Sequence, residues 1–379
     1  MNITVIGAGI SGLALARAIT LHHPHHRVQV HEAQATLRSI GGGLIIPPNS
    51  ARVLDRLGLG HILDAYGVPL TDMQIIDAKT GRTLYHRPQT AVAQRHGRGL
   101  YSLSRTVLHR SLAETLPAGT IHTGHELSGV EYHFDGVAAR FTNGAETTAD
   151  LLVSAEGRES RTRQLTMPET QLVHTGQVAY RGLTTIAPLP QYHNSFVEYW
   201  GRGRRFTFFR LAENLTYWHA PVTQTPGATR KKTDLLREYR DFPEQVIELI
   251  AHTDAEHIHG VDLSDIRPLP HWHRGKVVLI GDAAHATSPN LGQGAAQALE
   301  DAYSLATQLA PLGDPDLPTL SAALGRYQQE REAAANAVVH RSRQIGQLGQ
   351  AGGAVRLLRN IGMTLSPELA RERIEAFYE

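Results

Sequence analysis

A chain of 379 residues, 41% of them hydrophobic, is long enough to bury a substantial core as one large domain or two interleaved ones. With 37 Lys and Arg against 36 Asp and Glu the net charge is +1, and Arg clusters such as Arg202, Arg204 and Arg205 are too short for a basic stripe, which argues against a nucleic-acid partner. The absence of cysteine excludes disulfides, thiolate metal sites, iron–sulfur clusters and a cysteine nucleophile, so redox work would need a bound cofactor.

The first strand begins at Asn2 with no basic segment, apolar signal core or cleavage site before it, so the expected location is cytoplasmic. No apolar stretch reaches the roughly 18 residues that span a bilayer. Val277 to Ala286, for example, is interrupted by Gly281, Asp282 and His285, and no membrane embedding is expected.

The opening reads as strand (Ile3 to Ile6), glycine turn, helix (Ser11 to Leu21) and strand (Val28 to Glu32), the βαβ start of a dinucleotide-binding sheet. Gly7-Ala8-Gly9-Ile10-Ser11-Gly12 supplies the tight turn, the close backbone approach and the dense helix packing that a pyrophosphate on a helix N-terminus requires. Glu32, followed by Ala33, closes the second strand about 20 residues further on, where a carboxylate accepts hydrogen bonds from ribose hydroxyls. Together they imply an ADP-containing cofactor without separating NAD from FAD. The histidines His22, His23, His25 and His26 lie in the turn before the second strand with no carboxylate to complete a ligand set, so no metal is expected.

A glycine run, Gly41 to Gly43, leads into a helical pattern over Ala51 to Leu57, ended by Gly58 and Gly60. Leu70 to Arg87 is strand-like, and Arg105 to Leu116 is helical with Leu108, Leu112 and Leu116 on one face. Strands follow at Gly129 to Tyr132, Val137 to Phe141 and Leu151 to Ser154, the first two joined through the hairpin signal Asp135-Gly136. Aromatic and β-branched segments between Gln171 and Val222 predict an antiparallel sheet, the candidate substrate domain. A buried strand, Val277 to Ile280, then returns to the first domain, helices fill the chain from Ala295 onward, and Pro367 to Glu379 reads as an amphipathic helix.

The second half of the chain decides the cofactor. Val277 to Ile280 runs into Gly281-Asp282-Ala283-Ala284-His285, and Pro289-Asn290-Leu291-Gly292-Gln293-Gly294 then opens a helix carrying Glu300 and Asp301. This pair of segments resembles the second flavin signature of the FAD-dependent aromatic hydroxylases, the single-component flavoprotein monooxygenases. The resemblance implies that Asp282 binds ribityl or pyrophosphate oxygens. It also implies that the turn through Leu291, Gly292, Gly294 and Ala295 lays backbone N–H groups beside the flavin, where the helix N-terminus stabilises negative charge on the reduced ring. Arg105 resembles the family arginine that reaches FAD, and Leu127 falls where the family places an apolar residue against the adenine. The third signature is approximated by Asp150 to Gly157, followed by Ser160 and Arg161, with Glu156 where the family usually has Asp.

The sequence is most similar in character to urate, salicylate and hydroxynicotinate hydroxylases. Gly201 to Arg205 and Tyr217 resemble the urate-hydroxylase segment that turns an Arg and a Tyr toward substrate. The implied fold is α/β: an FAD-binding Rossmann-like domain (1–70, 99–165 and 275–379) with an inserted antiparallel β-sheet substrate domain (71–98 and 166–274) and C-terminal helices. The implied reaction takes NADH or NADPH as co-substrate and O2, and hydroxylates a small aromatic, heteroaromatic or polycyclic substrate through a flavin 4a-hydroperoxide. Pro289 would wall the peroxide side, with Arg205 and Tyr217 as catalytic candidates and Arg181, Phe208, His219 and Arg210 as substrate candidates. The alternatives are an epoxidase or antibiotic-modifying monooxygenase with a larger pocket built from Tyr199, Trp200, Phe206, Phe208 and Phe209, and a flavin-binding protein without turnover, for which Glu156 would be a sign of decay. A monomer or homodimer is expected.

Overall fold

A computed structural model describes residues 1–37 and 41–365; the helix expected over Pro367 to Glu379 lies outside the described residues. The first strand, Asn2–Ile6, is buried on both faces and sits inside a six-stranded sheet. It pairs in parallel with Arg27–His31 on one side and Leu151–Ser154 on the other, and the latter pairs in parallel with Val277–Leu279. The near-continuous apolar runs of these strands are what a sheet covered on both faces requires. Helix Ile10–His22 packs against helix Gly294–Leu309, so the start and the late part of the chain meet over one core.

A seven-stranded sheet forms the second layer, in the order His259–Ile266, Leu172–Thr184, Leu215–Thr223, Arg205–Ala212, Ser195–Trp200, Asp72–Asp77, Thr83–Pro88. Every pairing is antiparallel except Ser195–Trp200 with Asp72–Asp77. The strand-like stretch after Leu70 therefore joins the sheet expected between Gln171 and Val222, and His259–Ile266, which carries no strong alternation, adds its far edge. One face of this sheet is closed by helices Lys232–Glu238 and Glu244–Ala251, with Val178, Phe206, Phe208 and Trp218 packed against Leu235, Tyr239, Val246 and Leu249. The other face is free to look toward the first layer.

The hairpin at Asp135-Gly136 forms as expected, with Tyr132 paired to Val137. Helix Leu317–Gly349 spans both layers, and no helix of the described residues is long and apolar enough to cross a membrane.

Candidate active site

At the first turn, glycine is demanded by space as well as by conformation. Gly7 has φ +101°, and a Cβ there would lie 2.5 Å from the Ala155 carbonyl oxygen; at Gly12 it would lie 2.1 Å from the Gly7 oxygen. Helix Ile10–His22 follows with Gly9 at its cap and no capping side chain, leaving its first N–H groups for an anion. Glu32 is held by the Ala8 and Gln34 N–H groups, each 2.9 Å from one carboxylate oxygen, and His109 Nε2 lies 2.7 Å from the Ala8 oxygen. Gly7, Gly9, Glu32, Ala33, Arg105, Leu127 and Glu156 line one groove, whose far end carries His31 and His125. His31 stacks on Phe141 at 4.7 Å between ring centres, and burial, reinforced by His122 and His125, pushes its pKa down to about 4.

The late turn is held from beneath. Gly281 has φ +58° and donates its N–H to Asp301 Oδ2 at 2.8 Å; His285 Nε2 lies 2.5 Å from the same oxygen, and Arg331 Nε donates to Oδ1 at 2.9 Å. Burial alone would raise the Asp301 carboxyl, but His285 and Arg331 hold it down at about 2. Arg331 also pairs with Glu300 at 2.6 Å. This fixed frame aims Asp282 into the cavity, where its carboxylate is open to the void although protein withdraws it from bulk water. Burial raises its pKa while His285 and Arg105 oppose the shift. Arg105 reaches the same void, and among the described residues its side chain makes no hydrogen bond or ion pair.

The cavity at this turn is lined by Asp282, Pro289, Asn290, Gly292, Gly294 and Ala295 on one side and by the seven-stranded sheet on the other. It shares Gly9, Arg105, Ala155 and Gly157 with the first groove, so the two form one continuous trough. Leu291 lies within the same turn, Pro289–Leu291, without lining the cavity itself. Strand register sorts the roof into rows. Phe196, Phe209 and Tyr217 form an apolar row and Glu198, Thr207 and His219 a polar row beside it, and the rows run on beyond the cavity to Leu183 and Arg181.

Arg205 is 1% exposed and held at both ends of its guanidinium: Nη1 donates to Glu198 Oε1 at 2.7 Å and Nη2 to Asn290 Oδ1, while Nε is buried without a partner. Asn290 in turn donates to Ser288 Oγ and to the Ser342 carbonyl, each at 2.9 Å. Arg205 therefore ties the sheet to the late turn, with its charge matched by Glu198. No motif in the sequence singles out Glu198, although it alternates with Phe196 and Trp200 on one face of its strand. Burial pushes the Tyr217 phenol up to about 12, against the pull of Arg181 and Arg105. Burial also pulls His219 down to about 3, helped by Arg205 and Arg181, and its Nε2 is buried without a partner.

Three of the four substrate candidates stand elsewhere: Arg181 lines a neighbouring hollow that meets this cavity only at Tyr217, and the other two lie off the cavity face. Phe208 is one residue out of phase with the cavity face and packs with Tyr192 and Tyr199 under the helices; Phe209 takes the place expected of it. Arg210 donates to Asn194 Oδ1 at 3.0 Å and does not line the cavity. Tyr199 and Phe206 also face the helices, which removes most of the larger apolar pocket that an epoxidase reading needs. Glu156 is no sign of decay: its carboxylate accepts from Ser154, Ser160 and the Thr162 and Arg161 N–H groups at 2.8–3.1 Å, capping the short helix Arg161–Thr166. Among the described residues no group of three or more His, Asp or Glu is placed to hold a metal.

A trough with open helix N–H groups at one end, unpaired Arg105 and Asp282 at its middle and a flat roofed gap at the other suits a long nucleotide carrying a planar ring system, the shape of FAD. The chain matches the FAD binding domain family over residues 1–342 and belongs to it. It is 30% identical over 353 residues, 92% of this chain and 90% of the relative, to an aurachin C monooxygenase/isomerase of Stigmatella aurantiaca. An FAD-dependent urate hydroxylase of Klebsiella pneumoniae is 29% identical over 336 residues, covering 87% of this chain and 86% of the relative. The crystal structure of Klebsiella pneumoniae HpxO with FAD and uric acid superposes with a TM-score of 0.87 at 26% identity, covering 100% of this chain and 96% of that one. The chain is thus an FAD-dependent enzyme of the monooxygenase and hydroxylase type.

Proposed function

We propose that this enzyme hydroxylates a small planar aromatic or heteroaromatic compound, using O2 and NADH or NADPH. The observation that carries the reading is the gap between the Pro289–Gly294 turn and the Phe196, Phe209, Tyr217 face, because it suits stacked planar rings and little else. Bound FAD supplies the electron-accepting and oxygen-activating chemistry.

The chain's own residues do the rest. The Gly9–Gly12 turn and Glu32 would hold the nucleotide end, and Arg105 and Asp282 would reach the middle. The start of helix Gly294–Leu309 places positive helix potential where charge develops on reduction. Pro289 closes one side of the gap to water. Tyr217, protonated at all ordinary pH, donates its phenolic proton to a polar atom of the substrate, and neutral His219 offers a second hydrogen bond beside it. Arg205 is a positioning residue, locking Asn290 and so the turn. On this reading residues 1–70, 99–165 and 275–379 serve as the cofactor domain and residues 71–98 and 166–274 as the substrate domain.

The test is to purify the protein with FAD and measure NADH and NADPH oxidation with and without urate, salicylate and hydroxypyridine acids, with product analysis under labelled O2. Stimulated oxidation with label in the product is the expected result. Oxidation indifferent to every aromatic, with no oxygenated product, overturns the reading.

A further inference from the structure

At the far end of the nucleotide groove the backbone gathers three imidazoles. The Glu32 N–H donates to the His122 carbonyl and the His125 N–H to the Glu32 carbonyl, each at 2.8 Å, which ties the segment after Ile121 to the end of the second strand. His31 stacks on His122 with 4.9 Å between ring centres as well as on Phe141, and His125 stands edge-on to it at 5.2 Å. None of the three flavin signatures contains any of these histidines.

His31 is 5% exposed, yet neither of its ring nitrogens has a hydrogen-bond partner among the described residues, and the side chain lines the groove. Two buried polar atoms left so are costly unless a ligand completes them. Burial and the neighbouring imidazoles keep this ring neutral, so one nitrogen donates and the other accepts. His125 lines the same groove, and its Nδ1 lies 2.8 Å from the Thr123 carbonyl oxygen. A carbonyl only accepts, so the proton of the neutral ring sits on Nδ1 and Nε2 is left as an acceptor.

Gly7, Gly9 and Glu32, the positions for pyrophosphate and ribose, line this groove too, so the part of FAD that reaches the histidines is its base. Adenine presents an exocyclic amine, which donates, beside ring nitrogens, which accept. We propose that the cluster reads the edge of the adenine: Nε2 of His125 accepts from the exocyclic amine, and His31 donates to a ring nitrogen. The enzyme then selects its cofactor by the base as well as by phosphate and ribose. Hypoxanthine, with a carbonyl in place of the amine, sets two acceptors face to face at His125. The inference concerns the nucleotide end alone and holds whichever substrate the ring end takes.

The test compares FAD with its hypoxanthine analogue, binding of each to the full-length protein stripped of flavin being followed by flavin fluorescence. Both carry the same isoalloxazine ring, so any difference arises at the base. The wild-type protein binds FAD roughly tenfold more tightly than the analogue, the scale of an unpaired buried acceptor. His125→Phe weakens FAD binding and brings the ratio close to one. His31→Phe, which keeps a flat ring in the stack, weakens FAD binding about fivefold, the scale of one neutral hydrogen bond, and His31→Gln, which keeps a donor, restores part of it. Thermal midpoints report that the variants are folded, and the wild-type ratio stands whether or not they fold. Equal affinity for the two nucleotides in the wild-type protein, a preference that survives in His125→Phe, or unchanged FAD binding in His31→Phe overturns the proposal. So does a His31→Gln variant that binds FAD no better than His31→Phe.

Discussion

The two ends of the trough are built from different material. The nucleotide end is backbone: glycines without room for a Cβ, open helix N–H groups and a carboxylate held by main-chain donors. The ring end is side chains on alternating strand positions, each with its own neighbours across the sheet. Change at the first end should be nearly all-or-none, since backbone cannot step aside, whereas change at the second should be graded and separable into stability and affinity.

Gly12→Val is the strongest test of the first half of that contrast. A Cβ would sit 2.1 Å from the Gly7 oxygen and 3.2 Å from Val5, so the turn must open. Overpacking at about 3 kcal/mol corresponds to roughly 100-fold weaker FAD binding. The visible spectrum of protein purified with added FAD reports it, and a fully yellow variant would break the comparison.

Asp301→Ala comes next, because it leaves His285 buried without its carboxylate and Arg331 with Glu300 alone. Removing one member of a buried ionic network costs about 3–5 kcal/mol, measurable as a drop in the urea midpoint. The same pair sets a pH window. Asp301, held at about 2 against an ordinary 3.8, contributes stability that is full above about pH 4 and lost as pH falls toward 2. His285 is raised above its ordinary 6.5 by Asp301 despite the opposing effect of burial, so its contribution is full below about 6.5 and fades as pH rises through the elevated value. The wild-type midpoint should therefore decline from about pH 6.5 upward, and Asp301→Ala should flatten that slope.

The backbone end was legible in the sequence because its signals are local. Gly7, Gly9, Gly12 and Glu32 lie within 26 residues and follow one strand, and Gly281-Asp282 follows another, so spacing alone carries the geometry. The ring end was legible only as residue types. Whether Phe208 or Phe209 faces the cavity depends on a phase of one residue, which only the pairing to Tyr217 and Val197 decides. The role of Arg205 depends on Glu198, one strand away, and on Asn290, 85 residues later. Glu156, which looked like a damaged signature, is a helix cap because its longer side chain reaches the Thr162 N–H.

That one-residue phase gives the third test. Phe208→Ala should cost about 3–5 kcal/mol of stability, as for other large buried rings, and leave KM unchanged. Phe209→Ala should instead raise KM about tenfold, the scale of trimming an apolar wall from a substrate pocket. Paired measurements of denaturation midpoint and KM separate the two. If both variants shift KM equally, the division of the sheet into a core face and a cavity face is wrong.

The smallest expected effect is at His219, and it is informative for that reason. Burial, with Arg205 and Arg181 adding to it, holds this imidazole at about 3, so it is neutral from about pH 5 upward and cannot serve as a general base that switches on near neutrality. Its unpartnered Nε2 faces the same row as Thr207, where a neutral hydrogen bond to the ring is what it has to offer. His219→Gln keeps an amide in that place, and one neutral hydrogen bond is worth about 1 kcal/mol, roughly a fivefold change in kcat/KM. The profile of kcat/KM against pH should keep its shape in this variant. A limb of the profile that vanishes with His219 would mean that the imidazole titrates in the working enzyme. Water would then have to reach the imidazole, since burial does more than Arg205 and Arg181 to keep it neutral.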